Sequence, residues 1–232
     1  MKLLLSGLSL VLLAACASAN AATPKYNNPP PGAVVQDAVV YLSGEGMSSQ
    51  WHVVSSRAAV GRQNGKQTAY QWYVSIYAPV GNGWNLKYRS PGGSTTLLSK
   101  VTKARGAQLY FPMQSVRIVG GAELEQAAVQ DAVVQVHESA ADCGSSTVAI
   151  FGLTKQYQPT VRTAVQNGCS LNASIAKYGQ LQAVQLTGPY YGPKAAMCCP
   201  TKPSATAKLT NSGSIRGWSV TPNYFKIVNS IH

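Results

Sequence analysis

The sequence predicts an α+β protein: an antiparallel, β-rich body with two helices, at about 33–43 and 122–142, stabilised by disulfides. Three observations lead there. Apolar and polar residues alternate through much of the chain and are broken by Gly, Pro and Asn-Gly turns, as in antiparallel sheets. The hexapeptide VQDAVV occurs twice, at Val35–Val40 and Val129–Val134, each time with apolar residues at the i, i+3, i+4, i+7 spacing of an amphipathic helix. Four cysteines, Cys143, Cys169, Cys198 and Cys199, follow an export leader and form an even set suited to an oxidising compartment.

The leader occupies residues 1–22. Lys2, the apolar run Leu3–Ala15 and a small-residue stretch follow the order of a signal peptide. That run is too short to cross a bilayer as a helix, which takes about 20 residues. Leu13-Ala14-Ala15-Cys16 has the lipobox pattern and makes Cys16 the candidate lipidation site; cleavage after residues 17–19 or 19–21 is the alternative. Both readings export the chain, to the periplasm or to a membrane-anchored position on the cell envelope. Residues 23–32, with three consecutive prolines, read as an extended tether.

Residues 33–120 form the expected N-terminal α+β unit. Val35, Ala38, Val39 and Leu42 supply the stripe of its helix, and Gly44 and Gly46 supply a stop. A strand would suit the same stretch, because Ala38, Val40 and Leu42 alternate. A strand at 51–56, a polar turn at 61–67 and a hairpin at 69–91 around Gly81-Asn82-Gly83 follow, then short strands at 108–112 and 115–121. Gly120-Gly121 marks the boundary of a C-terminal unit, 121–232. Its helix carries Val129, Ala132, Val133 and Val136 on one side, Glu123 and Glu125 in the first turn, and Gly144 as terminator. Strands are expected at 145–153, two or three times between 160 and 188, and as a closing pair at 204–211 and 218–228.

Cys143-Gly144, VAIFG (148–152), Asn167-Gly168-Cys169, GQLQAVQLTGPYYG (179–192) and Met197-Cys198-Cys199-Pro200-Thr201 together resemble the LppP/LprE-type bacterial lipoprotein domain. The likeness covers about 143–228. It implies an envelope address and a binding or structural role, and it brings no catalytic set. The pairing of the four cysteines is left open among three connectivities.

Charge and aromatics point to the partner class. The net charge is +12; residues 23–120 hold ten basic and two acidic side chains, residues 121–232 eight and five. A basic surface attracts anionic partners. For an exported protein these are lipid head groups, glycans or acidic proteins rather than nucleic acid, with the membrane reached only through an N-terminal lipid. The hairpin at 69–91 gathers Trp72, Tyr73, Tyr77, Trp84 and Tyr88 beside Lys87 and Arg89, and alternation sets Trp72 on the face opposite Tyr73 and Tyr77. Aromatic faces beside cations suit sugar rings and anionic polymers. Tyr190-Tyr191 is a second such pair.

No catalytic, metal or cofactor site is expected. Ser174-Ile175-Ala176-Lys177 matches S-x-x-K but lacks its S-D-N companion. VHESAADC clusters His137, Glu138, Asp142 and Cys143, the set of a thiol nucleophile with a base and an acidic orienter, but a helix would turn His137 and Cys143 to different sides. His52, His137 and His232 lack ligand spacing, and no Gly-rich turn suits a nucleotide. The expectation is a non-enzymatic role toward an anionic or glycan envelope component. The contrary class, a hydrolase of wall polymer or lipid, would need convergent polar groups in a pocket near His52 or His137.

Overall fold

A computed structural model describes residues 24–44, 47–63, 67–90, 113–126, 129–138, 145–193, 200–213 and 217–230. Every regular element among them is a strand. β1 (Ala33–Gly44), β2 (Met47–Gln63), β3 (Gln67–Val80) and β4 (Gly83–Arg89) form an antiparallel meander. β5 (Met113–Gln126), β6 (Val129–Glu138), β7 (Ser145–Leu153) and β8 (Pro159–Asn167) form another. β9 (Asn172–Tyr178), β10 (Leu181–Tyr190), β11 (Lys202–Asn211) and β12 (Trp218–Thr221) make a separate four-stranded sheet, and β13 (Lys226–Ser230) returns to pair with β8. The large sheet therefore runs β13-β8-β7-β6-β1-β2-β3-β4, with β5 also on β6, and it passes across Gly120-Gly121. Among its described strands β1 joins β6 in parallel, where Leu42 stands opposite Gln130 and the Tyr41 amide donates to Gln130 Oε1 at 3.0 Å.

Both predicted helices are corrected to strands. Residues 33–43 lie in β1, and 122–142 divides between the end of β5 and β6, with 127–128 and 139–142 outside the described residues. In β1 the alternation wins: Val40 and Leu42 are fully buried while Val39 and Tyr41 on the other face are exposed. In β6 the valines are β-branched, which favours the pleated backbone. Ala132 and Val134 pack on one side and Val133 on the other, so the run lost its period of two and imitated a helical stripe. Among the described residues the disulfide part of the prediction is not realised either. Cys169 is the only cysteine among the described residues, and Cys143, Cys198 and Cys199 lie outside them, so no described pair stands at disulfide distance.

The two apolar clusters explain the layering. One face of β6–β8, with Ala132, Val134, Val136, Ala149, Phe151 and Val161, meets the inner face of the β1–β4 meander, with Val40, Leu42, Val53, Val74 and Ile76. The other face, with Val133, Val148, Ile150 and Val165, meets Ala173, Val184, Leu186, Ala207 and Leu209 of the small sheet. β7 is thus enclosed on both sides, which is why its sequence reads as a continuous apolar run. Arg117 ties the layers together at their rim by donating to Gln135 Oε1 at 2.8 Å and Asn172 Oδ1 at 3.0 Å.

Candidate functional site

Where β8 ends, the chain turns through Asn167–Ser170, and the exit from β10 comes alongside. Asn167 holds the two together by donating to the carbonyls of Ser170 at 3.1 Å and Pro189 at 2.9 Å. The approach needs a glycine: a Cβ on Gly188 would stand 2.5 Å from the Ser170 carbonyl oxygen and 3.2 Å from Asn167 Nδ2. Beyond this joint opens a cleft of about 410 Å³ lined by Gln166, Asn167, Gly168, Tyr191, Tyr224 and Lys226. The Tyr191 hydroxyl donates to Cys169 Sγ at 2.8 Å, which fixes that ring at one wall. Tyr224 also lines the cleft and is tilted against Tyr190 with centroids 4.9 Å apart. Lys202 donates to the Tyr224 hydroxyl at 2.7 Å and holds its ammonium 4.6 Å from the ring centre. Among the described residues the lining contains two phenol rings, two amides and one lysine, and no carboxylate. Such a lining can receive a ring on the aromatic faces and an anionic group on the ammonium.

A second polar cluster lies on the outer face of the β1–β4 meander. The segment before β1 runs along β4: the Asn27 amide donates to the Trp84 carbonyl at 2.8 Å and the Trp84 amide to the Lys25 carbonyl at 2.9 Å. This lays Tyr26 over the sheet, where its hydroxyl donates to Asp37 Oδ2 and stands 3.0 Å from His52 Nδ1. His52 Nδ1 is 2.6 Å from Asp37 Oδ1, and its ring lies 4.0 Å from that of Trp84. Burial, followed by the hydrogen bond to Asp37 and its charge, drives the Tyr26 phenol well above its ordinary pKa, so it remains a donor. Arg89 clamps the same segment by donating to the carbonyls of Asn28 at 3.0 Å and Pro29 at 2.8 Å. The Asp–His pair is roofed by Tyr26 and floored by Trp84.

The aromatic hairpin divides as alternation predicts. Trp72 and Tyr88 turn inward against the first core cluster, Tyr88 packing 5.3 Å from Phe151. Tyr73 is half-buried on the outer face, and Tyr77 there is fully buried beneath Tyr26, at 4.3 Å. Trp84 is engaged with His52, Arg89 with the segment before β1, and Lys87 stays exposed. The structure thus spends most of this group on packing and brings Tyr191 and Tyr224 to an open cleft instead, with Tyr190 packed behind Tyr224. His137 Nδ1 is 2.9 Å from Ser146 Oγ, on a neighbouring strand, while Asp142 and Cys143 lie outside the described residues. Ser174 and Lys177 sit three apart on β9 and so point to opposite faces. Cys16 also lies outside the described residues.

Sequence reasoning passed over Tyr224, Lys226, Asp37 and Tyr26. Only the first pair left a trace, as an aromatic and a cation ahead of the final strand. Neither models of known protein families, nor curated proteins, nor solved structures give a match to this chain. The likeness to the LppP/LprE-type domain therefore stands on its sequence runs alone, and Met197–Cys199 of those runs lie outside the described residues.

Proposed function

We propose that the chain is an exported cell-envelope protein, lipidated at Cys16 or released by ordinary cleavage, that binds an anionic glycan of the envelope without transforming it. The observation that supports this reading is the cleft between β8, the exit of β10 and β13, with Tyr191, Tyr224 and Lys226 around it and no carboxylate among its described lining residues. Phenol faces take the apolar faces of sugar rings, amides take hydroxyls, and Lys226 takes a uronate or phosphate substituent. Lys202, bonded to Tyr224, adds positive charge behind that ring. The Asp37–His52 pair favours no hydrolytic reading, because both partners are committed to each other and to Tyr26.

The test is calorimetric titration with an oligogalacturonate and with its neutral methyl ester, using protein that begins at Ala22 and so keeps every described strand. Tighter, salt-sensitive binding of the acid form is expected, with a loss of about tenfold in Lys226→Glu and in Tyr224→Leu, corresponding to ~1.4 kcal/mol each. Equal binding by wild type and both variants, or no binding of either probe, overturns the assignment.

A further inference from the structure

β2 and β3 are the longest strands of their meander, and they outrun their neighbours. β1 joins β2 only as far as Arg57, and β4 joins β3 only as far as Ser75. Beyond Arg57 and Trp72, residues 58–63 and 67–71 pair with each other alone among the described residues, ending at Gln63 opposite Gln67. At about 3.3 Å per residue the ribbon extends roughly 20 Å past the sheet. It carries apolar surface where a free ribbon should be polar: Val60 is 59% exposed and Tyr70 43%. Val60 is the extra residue of a bulge between Ala59 and Gly61, a device that re-aims a side chain. At the base the Arg57 guanidinium lies 4.5 Å from the Tyr70 ring centre and 5.8 Å from that of Trp72. One cation is thereby held alongside the aromatic side of the ribbon.

The charge around this ribbon is one-sided. Between Glu45 and Glu123 the sequence contains nine Lys and Arg residues and no Asp or Glu, and Arg57 stands at the base of the ribbon. A surface combining an aliphatic side chain, a tyrosine and a guanidinium, in a basic stretch of sequence with no Asp or Glu, is complementary to the head-group layer of an anionic bilayer. Val60 and Tyr70 enter the boundary between head groups and acyl chains while Arg57 meets the phosphates. A soluble polyanion would use the cations and leave Val60 with no role. We propose that the β2–β3 ribbon is a membrane-contact arm that docks the folded body onto an anionic lipid surface, in addition to any N-terminal lipid. The inference is independent of the glycan cleft, which lies on other strands.

Flotation with vesicles of phosphatidylglycerol and phosphatidylcholine, against phosphatidylcholine alone, tests it on the protein beginning at Ala22. Binding only to the anionic vesicles is expected, weakened about fivefold in Arg57→Gln, the effect of one cation at such a surface. Val60→Asp should reduce binding at least tenfold with an unchanged circular dichroism spectrum, whereas Lys226→Glu should leave vesicle binding within twofold. Tyr70→Trp should move its emission to the blue on anionic vesicles. Undiminished binding by Val60→Asp, an emission maximum that stays put, or vesicle binding lost in Lys226→Glu would each overturn the arm. Soluble polyphosphate that binds wild type and Val60→Asp alike and displaces the vesicles would overturn it as well, since charge alone would then account for the contact.

Discussion

Asp131 is the group whose removal should strengthen this protein. It lies on β6 at 4% exposure, and its Oδ2 has no hydrogen-bond partner among the described residues. Arg162 is the nearby cation, yet it is committed to Glu125, to whose two oxygens it donates at 2.7 and 2.6 Å, and Asn211 adds a third bond to the same carboxylate at 3.1 Å. Burial first, and then the charge of Glu125, push the Asp131 carboxyl up to about 7, with Arg162 opposing. In the unfolded chain the same carboxyl titrates near 3.9. Between about pH 4 and pH 7 the native state consequently holds a proton that the unfolded state has lost, so stability falls as pH rises through that window. A shift of about three units corresponds to roughly 4 kcal/mol lost by pH 8 relative to pH 4. Asp131→Asn keeps the shape and cannot ionise. Urea denaturation at pH 4.5, 6, 7 and 8 should show the variant within about 1 kcal/mol of wild type at the acid end and about 2–4 kcal/mol more stable at pH 8. Two curves running parallel across the four pH values would refute this reasoning.

Three further perturbations probe the joints of the fold. Gly188→Ala places a methyl 2.5 Å from the Ser170 carbonyl and should destabilise by about 1–3 kcal/mol in thermal unfolding, loosening the cleft wall with it. Tyr26→Phe removes a donor from Asp37 and should lower stability by about 1–2 kcal/mol; amide exchange at Trp84, whose N–H is bonded to the Lys25 carbonyl, should accelerate if the segment before β1 loosens. Phe151→Ala empties a site that Tyr88 packs against from the facing layer, at about 3–5 kcal/mol by denaturant titration.

Those elements whose signals are local were legible in the sequence. The β3–β4 hairpin followed from the aromatic alternation around Gly81, and the β9–β10 hairpin falls among the strands expected between 160 and 188, turning where Gly179 adopts a φ of +62° and Tyr178 pairs with Leu181. β11 and β12 pair as expected, while the end of the predicted last strand separates as β13 and crosses to β8. What failed was whatever depended on layering. β6 is apolar on both faces only because one sheet curls over it and another packs behind it, and no local rule announces that. The candidate site was legible by half: Tyr191 drew notice as an aromatic in a loop, but Tyr224 and Lys226 reach it from the far end of the chain through the β8–β13 pairing. Composition had also called attention to Trp72, Tyr77 and Tyr88, whose large apolar surfaces were needed for the interior.

The repeated hexapeptide shows how little six residues specify about an environment. The strands holding the two copies are neighbours in one sheet, joined in parallel, yet the join sets Leu42, beyond the first copy, against Gln130, inside the second. Asp37 and Asp131 are therefore not brought to equivalent places. On β1, with one face open, Asp37 meets Tyr26 and His52 at the surface and is surrounded by donors. On β6, enclosed on both faces, Asp131 is stranded beside a carboxylate. The same side chain serves as a fastening in one copy and a liability in the other, and the sign of its contribution to stability is set by the layer count above the strand. An Asp→Asn exchange should accordingly weaken the protein at position 37, where an amide cannot accept from both Tyr26 and His52 as well as a carboxylate does, and strengthen it above neutral pH at position 131.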